Sequence, residues 1–441
     1  MRFTIYPWDM KSWRSAFRIA GLPGVALFFL LLGAMLQVAD LTGGGAGHSS
    51  AKLLLAIRMP ALLLAFLILL FRPRIAPMRL TDIRLGYAAF ALLYLASTLW
   101  SEQPVATVGK SMELLLAGLV FFEASRSENA LERVEALRQI TLLTISGLAL
   151  ITVAGFLLRI HAFVQPRAGL FSHTTAQAPF LSGNGLGYVS SALFLVVLAE
   201  WQTHRLQARV ALREMAFAFA LFSVSASRTS FGILLLTILV VVFKRSKIIA
   251  SMLIGAVLIG AFGFWSSILT RLQGNQPDSN FVTLSGRTVV WTAAVRQFEL
   301  HPFFGVGGGI GGKVVIAHIG NMYLEQLSSL HNGFLEVLTG LGLVGFALGS
   351  YMLVLATWRS WRAWETNPEY AGTYVLIVHV WMTSIMSTGI LGWMGFEVAL
   401  FLCIVANLDL VRRRAQMADV RPPIPAFWPQ FAIEVEEPQL H

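Results

Sequence analysis

The sequence predicts an all-α polytopic membrane protein, and three observations carry that prediction. Of its 441 residues, 56% are hydrophobic and only 13% are charged, about half the charged fraction of an ordinary soluble domain. Mean hydropathy is +0.69. Apolar runs of about 20 residues, the length a helix needs to cross a bilayer, recur from one end to the other. In hydrocarbon each backbone polar group must be satisfied inside the protein, which selects helices over open strands. A soluble fold is excluded. The single cysteine, Cys403, lies in an apolar run, so one chain can build neither a disulfide framework nor a cysteine metal cluster.

Reading the runs against breakers and charges gives about twelve spans, at 17–38, 53–71, 85–100, 105–123, 139–158, 185–201, 210–226, 230–244, 248–267, 333–357, 372–391 and 393–411. The first is read as a retained span, because it is too long for a signal-peptide core and is followed by Gly43-Gly44-Gly45 instead of a cleavage pattern. All but ten of the 33 basic residues fall on one side, with Arg84, Arg138, Arg205 and Arg359 among them. By the positive-inside rule that side is cytoplasmic and holds both termini. The net charge of +10 therefore encodes orientation, not a nucleic-acid partner. Residues 1–411 read as one transmembrane domain with an outward segment at about 268–332, and 412–441 as a proline-rich, acidic-ended cytoplasmic tail. No internal repeat marks the two halves of a secondary transporter.

The ten outward basic residues include Lys110, Arg167, Arg228, Arg287 and Lys313. A guanidinium keeps its proton and offers a planar fork of donors, so Arg167, Arg228 and Arg287 are candidates to cradle phosphate. Arg159, Arg271 and Arg296 read as interfacial anchors. In the outward segment, RTVVWTAAVRQFEL (287–300) places Trp291, Val295 and Phe298 at i, i+4, i+7. That spacing predicts an amphipathic helix lying on the membrane or roofing a cavity. Ser285 is the expected N-cap and puts Arg287 in the first turn, where the positive helix end favours an anion.

The next stretch, HPFFGVGGGIGGKVV (301–315), has Gly307, Gly312 and Lys313 at the spacing of a nucleotide-binding loop. Val314 stands where that motif needs a hydroxyl for magnesium, so the glycines read as a turn permitting close approach of backbone or substrate. His331 then opens the tenth span beside Asn332 and above Glu336. A histidine there can accept the proton of a sugar hydroxyl, and Glu336 could orient it. No HExxH, D-x-D or spaced histidine set offers a metal site, and no cofactor is called for.

The series SRTS (227–230), SGRTVVW (285–291), HPFFGVGGG (301–309) and HNGFLEVLTGLGLVGF (331–346) resembles the O-antigen ligase superfamily, which includes the O-antigen and exopolysaccharide polymerases. RAGLF (167–171) and SGNGLG (182–187) resemble the family segment before the sixth span, with His173 to Leu181 inserted between them and Ser-Gly before Asn184. The resemblance implies a GT-C-like helical architecture and a metal-independent, inverting glycosyltransferase acting at the periplasmic face of the bacterial inner membrane. Its donor would be a glycan on undecaprenyl pyrophosphate. Its acceptor would be lipid A-core for a ligase, or a lipid-linked oligosaccharide for a polymerase. In that reading Arg228 and Arg287 hold the pyrophosphate and His331 activates or orients the acceptor hydroxyl, while Arg167, Asn184, Trp291 and Asn332 bind substrate. A transporter or flippase for an anionic lipid-linked substrate is the alternative; a membrane scaffold would leave the outward arginines without a purpose.

Overall fold

The computed structural model describes residues 9–35, 82–126, 129–166, 174–176, 181–203, 205–225, 227–248, 287–319, 329–392 and 394–420, together with Tyr6, Leu63, Phe66, Leu67, Ala178, Ser251, Met252, Ile254 and Gly255. The expected spans at 53–71 and 248–267 lie almost wholly outside the described residues, as do Arg167, Ser285 and the tail from Arg421.

The chain is helical, as the composition requires. Its helices are α1 (Met10–Ala20), α2 (Leu22–Met35), α3 (Ile83–Ala96), α4 (Pro104–Ala124), α5 (Ala130–Leu157), α6 (Gly183–Gln202), α7 (Ala208–Ser225), α8 (Arg228–Arg245), α9 (Arg287–Leu300), α10 (Gly311–Ile319), α11 (Gly333–Thr366), α12 (Ala371–Met386) and α13 (Phe396–Val420). Among the described residues four helices, α4, α5, α6 and α11, are each long and apolar enough to cross a bilayer, and a bent α1–α2 pair makes five. Among the described residues one short antiparallel strand pair, unforeseen in the sequence, interrupts the helices. Val164–Pro166 pairs antiparallel with Thr174–Ala176, Val164 opposite Ala176.

Two expected boundaries are corrected. The apolar run at 17–38 is not one straight helix: Gly21, at φ 63°, ends α1, and α2 leaves at a bend of 118°. Asp9 caps α1 by accepting from the Lys11 and Ser12 amides. Ser12, Ala16 and Ala20 line its buried face while Lys11, Arg14 and Arg18 stay exposed, the pattern of a helix lying along an interface. At the other end, α12 stops at Met386 short of the expected 391, because Ser387 is extended and Gly389, at φ 51°, turns the chain into a separate helical turn at Gly389–Gly392.

The bundle packs around α5 and α13, whose Leu137, Ile140, Ile145, Val398, Phe401 and Val405 are fully buried. Buried hydroxyls satisfy themselves on the preceding turn, as Ser190 does on the Leu186 carbonyl and Ser384 on that of Val380. Large apolar side chains such as Leu92 and Val354 point outward at 56% exposure each, as suits a lipid-facing surface. One end of the bundle gathers the cations that the sequence assigns to one side. Asp409 accepts from the Ile83 and Arg84 amides, the Arg84 side chain and Arg359, the last at 2.7 Å. Nearby, Glu200 pairs with Arg138 at 3.0 Å, and Arg205 reaches Glu369 at 3.0 Å.

Candidate active site

The opposite end holds the starts of α6, α8 and α11. Ser182 caps α6 by accepting the Gly185 amide at 3.1 Å, which sets Asn184 in the first turn. Ser227 caps α8 by accepting the Ser230 amide at 3.2 Å, so Arg228 is the first residue of that helix. The two caps are joined. Ser227 Oγ donates to Asn184 Oδ1 at 3.1 Å, and Ser230 Oγ donates to the Asn184 carbonyl at 3.3 Å. Gly187 permits this approach, since a Cβ there would lie 2.9 Å from that of Ser227.

Arg287 is the first described residue of α9. The packed face of α9 differs from expectation by one position. Val290, Ala294 and Gln297 are buried, whereas Val295 is 44% exposed. The small residue in the middle of that face lets α9 close on Val315 and Ile316 of α10 and on Leu330. Trp291, too bulky for the seam, sits at its rim and donates its indole N–H to the Leu330 carbonyl at 2.8 Å. Gln297 meets His318 across the same seam at 3.2 Å.

Leu330 leads into His331, whose backbone is left-handed at φ 51°. Such a conformation is rare for a residue with a side chain and costs about 1–2 kcal/mol. Ser329 supports the turn by accepting the His331 amide at 3.4 Å. Asn332 follows as the N-cap of α11, its Oδ1 accepting from the Leu335 amide at 3.0 Å. Gly333 then packs against the Thr388 carbonyl, where a Cβ would not fit. Glu336 is 2% exposed and accepts the Gly312 amide at 2.7 Å, with Lys110 and the Leu330 backbone as further polar neighbours. The Glu336 carboxylate thus accepts from the glycine run.

That run is an internal splint. The Val306 and Gly307 amides donate to the Thr339 and Gly340 carbonyls at 3.0 and 2.8 Å, and the Gly308 amide donates to Ser97 Oγ at 2.8 Å. With the Gly312 amide given to Glu336, these donors are spent on protein, which explains why the near-match to a phosphate loop does not make one. Lys313 is exposed at the run's end. The reading of the glycines as a turn allowing close backbone approach agrees with φ values of 64° at Gly305 and 122° at Gly307.

The structure therefore brings Asn184 to the helix start that carries Arg228, and Trp291 to the turn that carries His331 and Asn332. The two groups are linked through α12: Tyr188 of α6 donates to the Met386 carbonyl at 3.4 Å, and Gly333 meets Thr388 just beyond. Sequence reasoning missed Ser227 and Ser230 as ties to Asn184, although Ser-x-x-Ser before an apolar run is a readable cap signal. It also left Lys110 without a role. Among the described residues no cluster of three or more His, Cys, Asp or Glu side chains could hold a metal ion.

Comparison with known families matches residues 215–350 to the family described as O-antigen ligase. The matched segment runs from within α7 into α11 and contains Arg228, Arg287, Trp291, His331, Asn332 and Glu336. Among curated proteins none matches the chain.

Proposed function

We propose that the chain is a membrane glycosyltransferase that moves a glycan from undecaprenyl pyrophosphate to an acceptor sugar hydroxyl, a reading supported by the match of residues 215–350 to the O-antigen ligase family. The observation that carries the reading is the placement of Arg228 as the first residue of α8, directly after its cap Ser227, and the sequence places Arg287 beside Ser285 in the same way. A cation at a helix N-terminus opposes the macrodipole and costs about 0.3–1 kcal/mol. The arrangement becomes favourable when an anion sits there, held by the guanidinium fork at the positive helix end. A pyrophosphate is the anion that this family's donor supplies.

In the proposed reaction the acceptor oxygen attacks the anomeric carbon, and a new glycosidic bond forms with inversion. The bond from that carbon to the pyrophosphate oxygen breaks, and undecaprenyl pyrophosphate leaves with the electron pair. His331 takes the hydroxyl proton, and Arg228 and Arg287 stabilise the charge that grows on the leaving group. Trp291, Asn332, Asn184 and Arg167 bind the sugars and the lipid head. Charge compensation by arginine makes a metal unnecessary. The architecture is GT-C-like with about twelve spans. Residues 1–411 form the catalytic domain with its periplasmic segment at about 268–332, 412–441 form a cytoplasmic tail, and both termini face the cytoplasm of the inner membrane.

The test is turnover by the purified full-length protein in detergent, supplied with undecaprenyl-pyrophosphate-linked glycan and with either lipid A-core or a second lipid-linked oligosaccharide, in EDTA and without nucleotide. A covalent product is expected, and its identity separates ligase from polymerase. Movement of intact donor across a vesicle bilayer with no bond made would instead support a transporter. Reporter fusions at Arg84 and Ser285 should report opposite sides of the membrane.

A further inference from the structure

Lys110 and the glycine run take part in none of the chemistry above, yet both meet the helix that begins beside His331. That helix, α11, is broken: Gly342 has φ 64° and ψ −160°. Upstream of the break the Thr339 and Gly340 carbonyls accept from Val306 and Gly307; downstream, the Leu343 and Val344 amides donate to the Pro302 and Phe303 carbonyls at 2.8 and 3.3 Å. Four hydrogen bonds from the run thus replace the helix's own ladder at this point. The short piece 333–341 is held at the break by residues 302–312 and not by an unbroken helix.

The run in turn is held from two sides. Lys110 of α4 donates from Nζ to the Gly309 carbonyl. Glu336, buried in the piece 333–341, accepts the Gly312 amide at 2.7 Å, and the Lys110 charge lies beside its carboxylate. Gly312 leaves room for that carboxylate, since a Cβ there would lie 2.6 Å from Glu336 Oε1 and push the side chain aside. A buried carboxylate needs both a hydrogen bond and a nearby opposite charge to remain in place. Lys110, Gly312 and Glu336 supply these to one another.

We propose that Lys110 and Glu336 are positioning residues for the transfer assigned to His331. They fix the glycine run across the break in α11, and through it the segment 329–341 that presents the His331 turn. The inference rests on the reading of His331 as the group that meets the acceptor. Neither residue touches a reacting atom in this scheme.

The experiment compares full-length wild type with Lys110→Met, Glu336→Gln, the double variant and Gly312→Ala, which displaces the carboxylate without removing its charge. Hydrogen–deuterium exchange is followed in the peptides 302–313, 329–341 and 183–245, and transfer kinetics are measured with undecaprenyl-pyrophosphate-linked glycan. Each single variant should raise exchange in 302–313 and 329–341 together and leave 183–245 unchanged. Each should lower kcat by about tenfold to 100-fold, the scale of a small misplacement of a reacting group, with KM for the lipid donor within about twofold. The double variant should be no worse than the worse single one, since the two act as a unit. Wild-type kcat in a variant whose run has loosened overturns the proposal, as does exchange that rises in 302–313 alone or losses that add. If Lys110→Met or Glu336→Gln does not fold, Gly312→Ala decides by the same readouts. Wild-type protein that transfers no glycan from this donor refutes the functional reading instead, and the exchange data still decide whether the run fixes the His331 segment.

Discussion

Ser227 donates its hydroxyl to Asn184 at 3.1 Å and with the same oxygen accepts the Ser230 amide at 3.2 Å, so one side chain both starts α8 and ties it to α6. The residue that follows it is Arg228. Two helices with their own apolar faces are thereby locked at the height of a single arginine, and the height follows from hydrogen bonds that hydropathy does not reveal.

Ser227→Ala should destabilise the protein by about 1–2 kcal/mol, the usual cost of losing a cap, and lower transfer through the misplacement of Arg228. Asn184→Asp offers the contrast. It keeps the acceptor for Ser227 and adds a negative charge where a helix start welcomes one, so thermal unfolding in detergent should occur at or above the wild-type temperature. The same charge repels an anionic donor, and KM for the lipid-linked glycan should rise several-fold. A lower KM in Asn184→Asp would remove the phosphate from this end of α8.

Arg228→Lys and Arg287→Lys should each lose transfer by about 10²-fold or more while inserting and folding normally, because a point charge cannot replace a bidentate fork on phosphate. Arg287→Gln should fold at least as stably as wild type in the absence of donor, since it removes a cation from the positive end of α9. Parallel melting curves and turnover rates decide the matter. Near-normal rates in both lysine variants would reduce the arginines to interfacial anchors.

His331 carries two separable properties, its imidazole and its left-handed backbone at φ 51°. Both His331→Ala and His331→Gly should abolish detectable transfer, a loss of about 10² to 10⁴-fold for a general base, with donor binding largely retained. The glycine variant should be more stable than the alanine variant by about 1 kcal/mol, because only glycine adopts this backbone without a Cβ conflict. An alanine variant that still transfers would leave His331 as a turn former alone.

At the far end of the bundle Asp409, with no solvent exposure, serves both Arg84 and Arg359 and caps α3 across 325 residues of sequence. Asp409→Asn leaves buried cations undercompensated and should cost about 3–5 kcal/mol, read as a large fall in unfolding temperature. Arg362→Gln, at an exposed pair with Glu365, should change almost nothing. Equal effects in the two variants would show that the buried cluster is no more than a surface pair in energy.

The amino-acid sequence by itself determines that this chain is a bundle of apolar helices, where most of those helices begin, and the order of motifs that resembles the O-antigen ligase family. These are local properties. A cap depends on a residue and the amides three positions on, and an apolar run reports its surroundings through composition alone. Tertiary structure decides the rest. HNGFLEVLTGLGLVGF offers glycines at 340, 342 and 345, and Gly342 becomes the break because the chain at 302–307 supplies donors and acceptors to that place. The buried face of α9 falls on Val290 and Ala294 and not on Trp291 and Val295, because that is the side on which Val315, Ile316 and Leu330 pack. Asp409 finds Arg84 across 325 residues of sequence, and Lys110 finds Gly309 across 199. Pairings of that kind depend on which helices pack together, a choice made by the whole core and not by the few residues on either side of each partner.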